Sequence, residues 1–268
     1  MTREQSAIVN GRAVRFFEGG KGRPLVLLHA FPLSAAMWQE QIDRVPDGWR
    51  FVAPDFRGFG ATPADAGVPA TMDDYARDVL GLMDALEIES AVIGGLSMGG
   101  YVTFALFRLA PERFAGVVLA DTKAPPDSAD ARAGRRAMAE TVRTAGVRAV
   151  VDALLPRLVG ETTRRDRPHV LARVRELMER NSAAGIDAAL HALMTRPAST
   201  PDLGRIRCPA LVIVGQEDTL TPQGEAELLA SSIAGAELVV VPRVGHLANL
   251  EAPQEFSDAL AAFLARTF

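Results

Sequence analysis

Six short, continuous apolar stretches constrain the fold of this 268-residue chain more than any other feature. They occupy residues 24–29, 51–55, 91–95, 116–121, 210–215 and 237–242. None alternates between apolar and polar residues, and such continuity is typical of strands buried on both faces of a parallel sheet. An Asn10-Gly11 pair between β-type residues also predicts a hairpin within residues 6–17, and therefore an antiparallel edge.

Amphipathic helical patterns separate these stretches. Apolar residues between Asp73 and Leu86 recur on one face of a helix, and residues 98–109, 223–233 and 253–268 have the same period. Strands that alternate with helices predict right-handed crossovers. We therefore expect an α/β fold in which helices cover both faces of a mostly parallel sheet.

Residues 122–200 break this alternation because they contain no candidate strand, only a helical pattern punctuated by prolines. We expect an insertion of about four helices, so that residues 1–121 and 201–268 form the core and residues 122–200 form a helical cap. The insertion has 14 basic and 9 acidic residues. The positive charge would attract anions if it faced a site. The alternative interpretation is that these arginines lie on solvent-exposed faces of the helices and have no role in binding.

Composition excludes several classes of function. A net charge of −4 at pH 7 is a poor basis for binding nucleic acid. A single cysteine, Cys208, excludes an intramolecular disulfide and a thiolate metal cage. The N-terminal residues lack the apolar core of a signal peptide, and no apolar run reaches the ~18 residues that span a bilayer. We therefore expect a soluble cytoplasmic protein, a monomer or small homo-oligomer, with no membrane partner.

The sequence Gly-Leu-Ser-Met-Gly at residues 95–99 fits the pattern G-x-S-x-G at the end of a strand and the start of a helix. A sharp turn there would hold the hydroxyl of Ser97 above the sheet edge, and the flanking glycines would relieve crowding of the backbone. The start of the helix offers free N–H groups to a developing oxyanion. Ser97 is therefore the candidate nucleophile. The alternative is a purely structural role, in which Ser97 caps the helix and the glycines only allow close packing.

A serine hydroxyl needs a base that takes its proton. Among the four histidines, His246 follows the last strand and precedes the final helix, at the edge where open α/β folds bind ligands. His29 ends the first apolar stretch, whereas His169 and His191 lie in the insertion. We predict that His246 is the base.

The base in turn needs a carboxylate that fixes its tautomer. Asp218 follows the fifth apolar stretch, and Asp121, which also ends a strand, is its rival. Glu217 is a weaker candidate because it would project differently from its neighbour. We predict Asp218, since the order Ser97, Asp218, His246 along the chain is that of one fold family.

Several motifs together resemble the α/β-hydrolase superfamily over nearly the whole chain. They are His-Ala-Phe-Pro at 29–32, Pro-Asp-Phe-Arg-Gly-Phe-Gly at 54–60, Gly-Leu-Ser-Met-Gly-Gly at 95–100, and the loops at 215–222 and 245–246. The resemblance implies a mostly parallel sheet of about eight strands and an inserted helical cap. No metal cluster or dinucleotide fingerprint is visible in the sequence, so we expect no cofactor and no metal ion.

The resemblance also implies an oxyanion hole formed by the backbone N–H groups of Phe31 and Met98, and their places after a strand and at a helix start agree with that role. Ala30 stands where the family usually has glycine, and a Cβ restricts the backbone of this loop. His29 resembles a position that orders the loop. His29 and Trp38 are weaker candidates for the substrate pocket, and Trp38 is more typical of a core residue.

A serine at the elbow favours acyl transfer over the aspartate chemistry of the related haloalkane dehalogenases and epoxide hydrolases. The chain resembles small bacterial carboxylesterases and 3-oxoadipate enol-lactonases. A compact cap favours short-chain esters as substrates, whereas a positively charged cap favours the anionic enol-lactone. Perhydrolysis by the same acyl-enzyme is a candidate side activity, and ligand binding without catalysis is a weaker alternative.

Overall fold

The computed structural model describes residues 2–65 and 67–268 and contains, within them, one eight-stranded sheet. The strands are β1 (Arg3–Val9), β2 (Arg12–Gly20), β3 (Arg23–Leu28), β4 (Trp49–Pro54), β5 (Ala91–Leu96), β6 (Phe114–Ala120), β7 (Ala210–Gly215) and β8 (Glu237–Val241). Their order across the sheet is β1-β2-β4-β3-β5-β6-β7-β8. β2 is antiparallel to both β1 and β4, and the other neighbours are parallel. The predicted mostly parallel sheet is confirmed.

Helices cover both faces of this sheet. They are α1 (Gln39–Asp43), α2 (Met72–Ala85), α3 (Met98–Leu109), α4 (Ala129–Leu158), α5 (Glu161–Asp166), α6 (Pro168–Glu179), α7 (Ala183–Thr195), α8 (Thr200–Leu203), α9 (Gln223–Ser232), α10 (Ala248–Glu251) and α11 (Pro253–Thr267). α3 packs on β3, β5 and β6, and α11 packs on β7 and β8. Across the described ranges, none of these helices has the length and apolar character needed to cross a membrane.

Five of the six continuous apolar stretches become the buried centre of the sheet, whereas the stretch at 237–242 forms the edge strand β8 and is not buried on both faces as predicted. Every residue of β5 and of β7 is buried, because helices cover these central strands on both sides. β8 lies at the sheet edge, and only its last residue is buried. At the opposite end, Asn10 and Gly11 both have positive φ and form the predicted hairpin turn between β1 and β2.

The segment 122–200 contains α4 to α7 between β6 and β7. α4 packs against α6 and α7. Gly146 breaks α4 with φ of +82°, a conformation that glycine adopts without strain. The helical pattern read from the sequence is therefore present, and the assignment of this segment as a separate cap stays a prediction.

His29 follows β3 directly and joins two loops at the carboxyl end of the sheet. Its Nε2 accepts a hydrogen bond of 3.0 Å from the backbone N–H of Phe56, and its Nδ1 lies 3.0 Å from the carbonyl oxygen of Ala30. The ring is fully buried against the ring of Phe56. Burial lowers the pKa of His29 from 6.5 to about 4, so the ring is neutral at neutral pH.

This buried histidine predicts a loss of stability in mild acid. The unfolded chain takes up a proton on His29 below pH 6.5, whereas the folded chain does so only near pH 4. The contribution of His29 is therefore present above pH 6.5 and is lost as the pH falls towards 4. We expect the free energy of unfolding to fall by about 3 kcal/mol more in the wild type than in His29→Gln over this interval.

Urea unfolding of both proteins between pH 7.5 and 4.5 measures this difference. Other titrating groups are common to the two chains and cancel in the comparison. Parallel pH dependences of the two proteins would show that His29 does not carry the effect.

Candidate active site

Ser97 lies at the sharp turn between β5 and α3. Its φ of +56° is unusual for a residue with a side chain, and the surrounding hydrogen bonds hold it there. The backbone N–H of Ser97 donates to the carbonyl oxygen of Ala120 at 2.9 Å, and the hydroxyl of Thr122 donates to the carbonyl oxygen of Ser97 at 2.9 Å. The end of β6 therefore fixes the turn that presents the Ser97 side chain.

The glycines around Ser97 allow the strand and the helix to approach closely. A Cβ on Gly95 would lie 2.2 Å from the backbone of Gly99, and a Cβ on Gly99 would lie 2.2 Å from the carbonyl oxygen of Leu28. Both distances are shorter than any real contact. The pattern G-x-S-x-G is thus required by the packing of this turn.

Ser97, His246 and Asp218 form one hydrogen-bonded chain. The Oγ of Ser97 lies 2.7 Å from the Nε2 of His246, and the Nδ1 of His246 lies 2.8 Å from the Oδ2 of Asp218. His246 and Asp218 are buried, whereas Ser97 is partly exposed. With the proton of His246 on Nδ1, its Nε2 is free to accept the proton of the Ser97 hydroxyl.

Asp218 stays ionised because its own turn surrounds it with donors. Its Oδ1 accepts the backbone N–H groups of Leu220 at 2.8 Å and Thr221 at 3.0 Å, and its Oδ2 accepts the hydroxyl of Thr221. Burial by itself would raise the pKa of Asp218, but His246 and these hydrogen bonds outweigh it and hold the pKa below its ordinary value.

Asp121, the rival carboxylate, has a different position. Its Oδ1 accepts the N–H of Gly215 at 2.8 Å and its Oδ2 accepts the N–H of Ala248 at 3.3 Å. Burial, together with repulsion by Asp218, raises the pKa of Asp121 well above its ordinary value. Glu217 turns away to bind Thr162. The structure therefore brings Asp218, and neither of its two alternatives, to the Nδ1 of His246.

The two expected oxyanion donors are the backbone N–H groups of Met98 and Phe31. Met98 is the first residue of α3, so its N–H has no acceptor within the helix. Phe31 lies in the loop after β3, and its side chain lines the same cavity as Ser97. In the part of the chain that the structure describes, neither N–H donates to a protein acceptor. Both groups are thus available to an oxygen atom of a bound ligand.

A cavity of about 420 Å³ opens over Ser97 and His246. The 122–200 segment supplies most of its walls. The apolar part consists of Met138, Leu154, Leu158 and Leu193 from this segment with Leu220 from the core. The charged part consists of Lys123, Asp127, Asp130, Arg135 and Arg157. The wall of the cavity over Ser97 therefore combines apolar and charged side chains.

His29 and Trp38 do not line this cavity, which corrects the weaker expectation for both. His29 is fully buried by its loop contacts, and Trp38 is 1 % exposed and packs on Phe256. Asp55 and Arg57, in the loop after β4, have structural contacts: Asp55 accepts the N–H groups of neighbouring loops, and Arg57 forms ion pairs that tie its loop to α2.

Tyr101 and Arg196 were not among the residues predicted from the sequence. Tyr101 lines the cavity, and the guanidinium of Arg196 lies 4.0 Å from the centre of its ring. Asp127 forms an ion pair of 2.8 Å with Arg196. Tyr101 was detectable, because residues four apart on a helix share a face and Tyr101 follows Ser97 by four. Within residues 2–65 and 67–268, no group of three or more His, Cys, Asp or Glu side chains is arranged to hold a metal ion.

Comparison with known proteins gives relatives with hydrolytic functions. A thermophilic esterase from Thermogutta terrifontis, solved with malate bound, has a TM-score of 0.94 and 37 % identity, and the match covers 99 % of each chain. The enol-lactonase from Burkholderia xenovorans has a TM-score of 0.89 and 31 % identity over 97 % of this chain and 100 % of that one. The 3-oxoadipate enol-lactonase 2 of Acinetobacter baylyi is 31 % identical over 249 residues, or 92 % of this chain and 91 % of that protein.

The family model described as the alpha/beta hydrolase fold matches residues 23–253, which include β3 to β8 and every residue of the Ser97–His246–Asp218 chain. The similarity thus extends over the sheet, the elbow and the helical segment. This chain belongs to the α/β-hydrolase family.

Proposed function

We propose that this hydrolase is a carboxylesterase that cleaves short-chain esters through an acyl-enzyme. The observation that carries the proposal is the unbroken hydrogen-bonded chain from Ser97 through His246 to Asp218 at the floor of the cavity. Nucleophilic catalysis by serine requires this arrangement of nucleophile, base and orienting carboxylate.

The reaction follows from the positions of these groups. The Oγ of Ser97 attacks the ester carbonyl carbon while His246 accepts the hydroxyl proton, and the N–H groups of Phe31 and Met98 bind the oxyanion. His246 then gives its proton to the leaving alkoxide oxygen, and the C–O bond breaks. Water, deprotonated by His246, attacks the acyl carbon; His246 then returns this proton to the Oγ of Ser97 as the bond between Oγ and the acyl carbon breaks, and the acid is released. Asp218 stabilises the imidazolium in both halves of the reaction.

Residues 122–200 act in this proposal as the cap that limits the acyl site. Met138, Leu154, Leu158 and Leu193 line the same cavity as Ser97 and make part of its wall apolar. A total volume of about 420 Å³ is at the small end of ligand sites. Acetyl and butyryl esters fit such a space. The cap therefore favours short esters.

A second candidate is enol-lactone hydrolysis by the same steps, with the ring oxygen as the leaving group. The observation that favours it is the charge on the cavity wall. Lys123 and Arg157 line the cavity and form no ion pair with a carboxylate of the described residues. Free cations of this kind suit a substrate with a carboxylate. The relatives named as enol-lactonases, and the malate of the related esterase, support the same candidate.

Substitution Ser97→Ala tests the nucleophile. We expect kcat for p-nitrophenyl butyrate to fall by about 10⁴- to 10⁶-fold with unchanged folding, because the remaining groups only bind and polarise the ester. Ser231→Ala, which removes a hydroxyl from α9, is the matched control and should keep full activity. A loss of kcat below tenfold would contradict the assignment of Ser97 as the nucleophile. Failure of a fluorophosphonate to label Ser97 would favour a ligand-binding protein without catalysis.

Asp218→Asn and Asp121→Asn form a matched pair of buried carboxylates. We expect Asp218→Asn to lower kcat by about 10⁴-fold, because an amide does not hold the Nδ1 proton of His246 in the correct tautomer. Asp121→Asn should lower kcat far less than Asp218→Asn does, since Asp121 binds backbone N–H groups and does not contact the ring. The reverse pattern, measured with the same ester, would move the orienting role to Asp121.

The substrate itself is decided by kcat/KM for p-nitrophenyl acetate, butyrate, octanoate and palmitate and for 3-oxoadipate enol-lactone. We expect a maximum at acetate or butyrate with slow lactone turnover. Lactone turnover far above that of every ester would replace the esterase proposal.

If the lactone is the better substrate, Lys123→Gln and Arg157→Gln should each raise the KM for the lactone by about tenfold. The control variant Arg136→Gln, at the protein surface, should leave this KM unchanged.

A further inference from the structure

A second buried carboxylate, Glu251, lies behind His246 and accepts three backbone N–H groups. Glu251 ends α10 and is 3 % exposed. Its Oε1 accepts the N–H of Gly245 at 2.9 Å and of Leu247 at 3.2 Å, and its Oε2 accepts the N–H of Gly160 at 2.8 Å. One side chain thus binds two separate parts of the chain.

The first part is the loop of His246 itself. Gly245 and Leu247 are the residues immediately before and after His246, so the Oε1 of Glu251 holds the backbone on both sides of it. Hydrogen bonds from N–H groups to a carboxylate are shorter and stronger than those to a neutral acceptor. The place of the imidazole relative to the Oγ of Ser97 therefore depends on this carboxylate.

The second part is the joint between α4 and α5 in the 122–200 segment. Gly160 and Gly245 pass in direct backbone contact, because a Cβ on Gly160 would lie 2.8 Å from the N of Gly245 and a Cβ on Gly245 would lie 2.3 Å from the N of Gly160. Arg167, at the start of α6, donates to the backbone carbonyl of Glu251 at 2.8 Å. The segment that walls the cavity is thus fastened to the loop of His246.

Glu217 makes a similar connection without touching His246. Its carboxylate accepts the N–H of Thr162 at 2.8 Å and the hydroxyl of Thr162. It therefore fastens the loop of Asp218 to the same joint of the segment. Both glutamates connect a loop of the core to the helical segment. Of the two, Glu251 alone also binds the N–H groups on either side of His246.

We infer that Glu251 is a positioning residue for His246 and couples its loop to the helical segment over the cavity. The inference rests on the proposed role of His246 as the base. A carboxylate satisfies both sides at once because each of its oxygens is an acceptor. The side-chain amide of glutamine has one oxygen acceptor and one NH₂ donor. Its NH₂ group would therefore lie against a backbone N–H, either that of Gly160 or those of Gly245 and Leu247. Either the loop of His246 or the joint at Gly160 would then be displaced.

The first experiment compares Glu251→Gln with Glu217→Gln as the matched control. We expect Glu251→Gln to lower kcat for p-nitrophenyl butyrate by about 10- to 100-fold with little change in KM, because a displacement of about 1 Å in the base is sufficient. The low-field proton NMR signal of the His246 Nδ1–H, recorded without substrate, should shift or disappear. Glu217→Gln should keep the kcat and the signal of the wild type.

The second experiment perturbs the same contact from the other side. Gly160 has φ of −65°, so alanine is compatible with its backbone, but the added Cβ would lie 2.5 Å from the Oε2 of Glu217, a flexible side chain, and 2.8 Å from the backbone N of Gly245. We expect Gly160→Ala to reproduce the changes in kcat and in the His246 signal. Gly224→Ala, where a Cβ has nothing within 4 Å, is the control and should be neutral.

Two results would overturn the inference. One is a wild-type His246 signal and wild-type kcat in Glu251→Gln. The other is an equal loss of signal in Glu217→Gln, which would show general loosening of the segment. Because the NMR comparison needs no substrate, it tests the role of Glu251 even if the wild type fails to cleave esters or to react with a fluorophosphonate, and that failure would count against the proposed function alone.

Discussion

The site depends on buried carboxylates that bind backbone N–H groups at the carboxyl edge of the sheet. An ionised carboxylate removed from water must be compensated by hydrogen bonds or positive charge. Asp55, Asp121, Asp218 and Glu251 are all nearly inaccessible, and each accepts at least two backbone N–H groups. The loops after the parallel strands are therefore fixed by acceptors that lie between them, and the sheet itself supplies only the common edge. This rigidity places Ser97, which comes from β5, within hydrogen-bond distance of a ring that follows β8.

Two of these buried carboxylates repel each other, and their different surroundings shift their pKa values in opposite directions. Asp121 and Asp218 lie close enough to repel each other. Burial raises the pKa of Asp121, which has only two backbone donors, whereas Asp218 has the donors of its own turn and the ring of His246, and its pKa is lowered. The environment therefore favours the negative charge on Asp218 over Asp121. Such a division between two carboxylates is a general means of assigning roles in active sites, and here it favours Asp218 as the partner of the imidazolium.

Sequence alone predicted the parts of this structure that follow from local chemistry. Continuous apolar stretches identify the buried strands, and the glycines around Ser97 identify a turn that no larger residue permits. The walls of the cavity were not predictable in the same way, because they depend on how the helices of residues 122–200 pack over the sheet. Glu251 was not predicted for a related reason. Its partners are backbone N–H groups, which nearly every residue type has, so the sequence does not show which residues bind it. Tyr101 is the exception, since its spacing from Ser97 places it on the same helix face.

The charge of residues 122–200 illustrates why pairing matters more than the net count. Many arginines of this segment, such as Arg175 and Arg180, form ion pairs with nearby carboxylates on solvated helix faces, and such exposed pairs contribute little to binding or stability. Near the cavity, Asp127 is shared by Arg135 and Arg196, so this cluster keeps one positive charge. The positive charge that faces the cavity therefore comes from a few local cations, such as Lys123 and Arg157, and not from the segment as a whole.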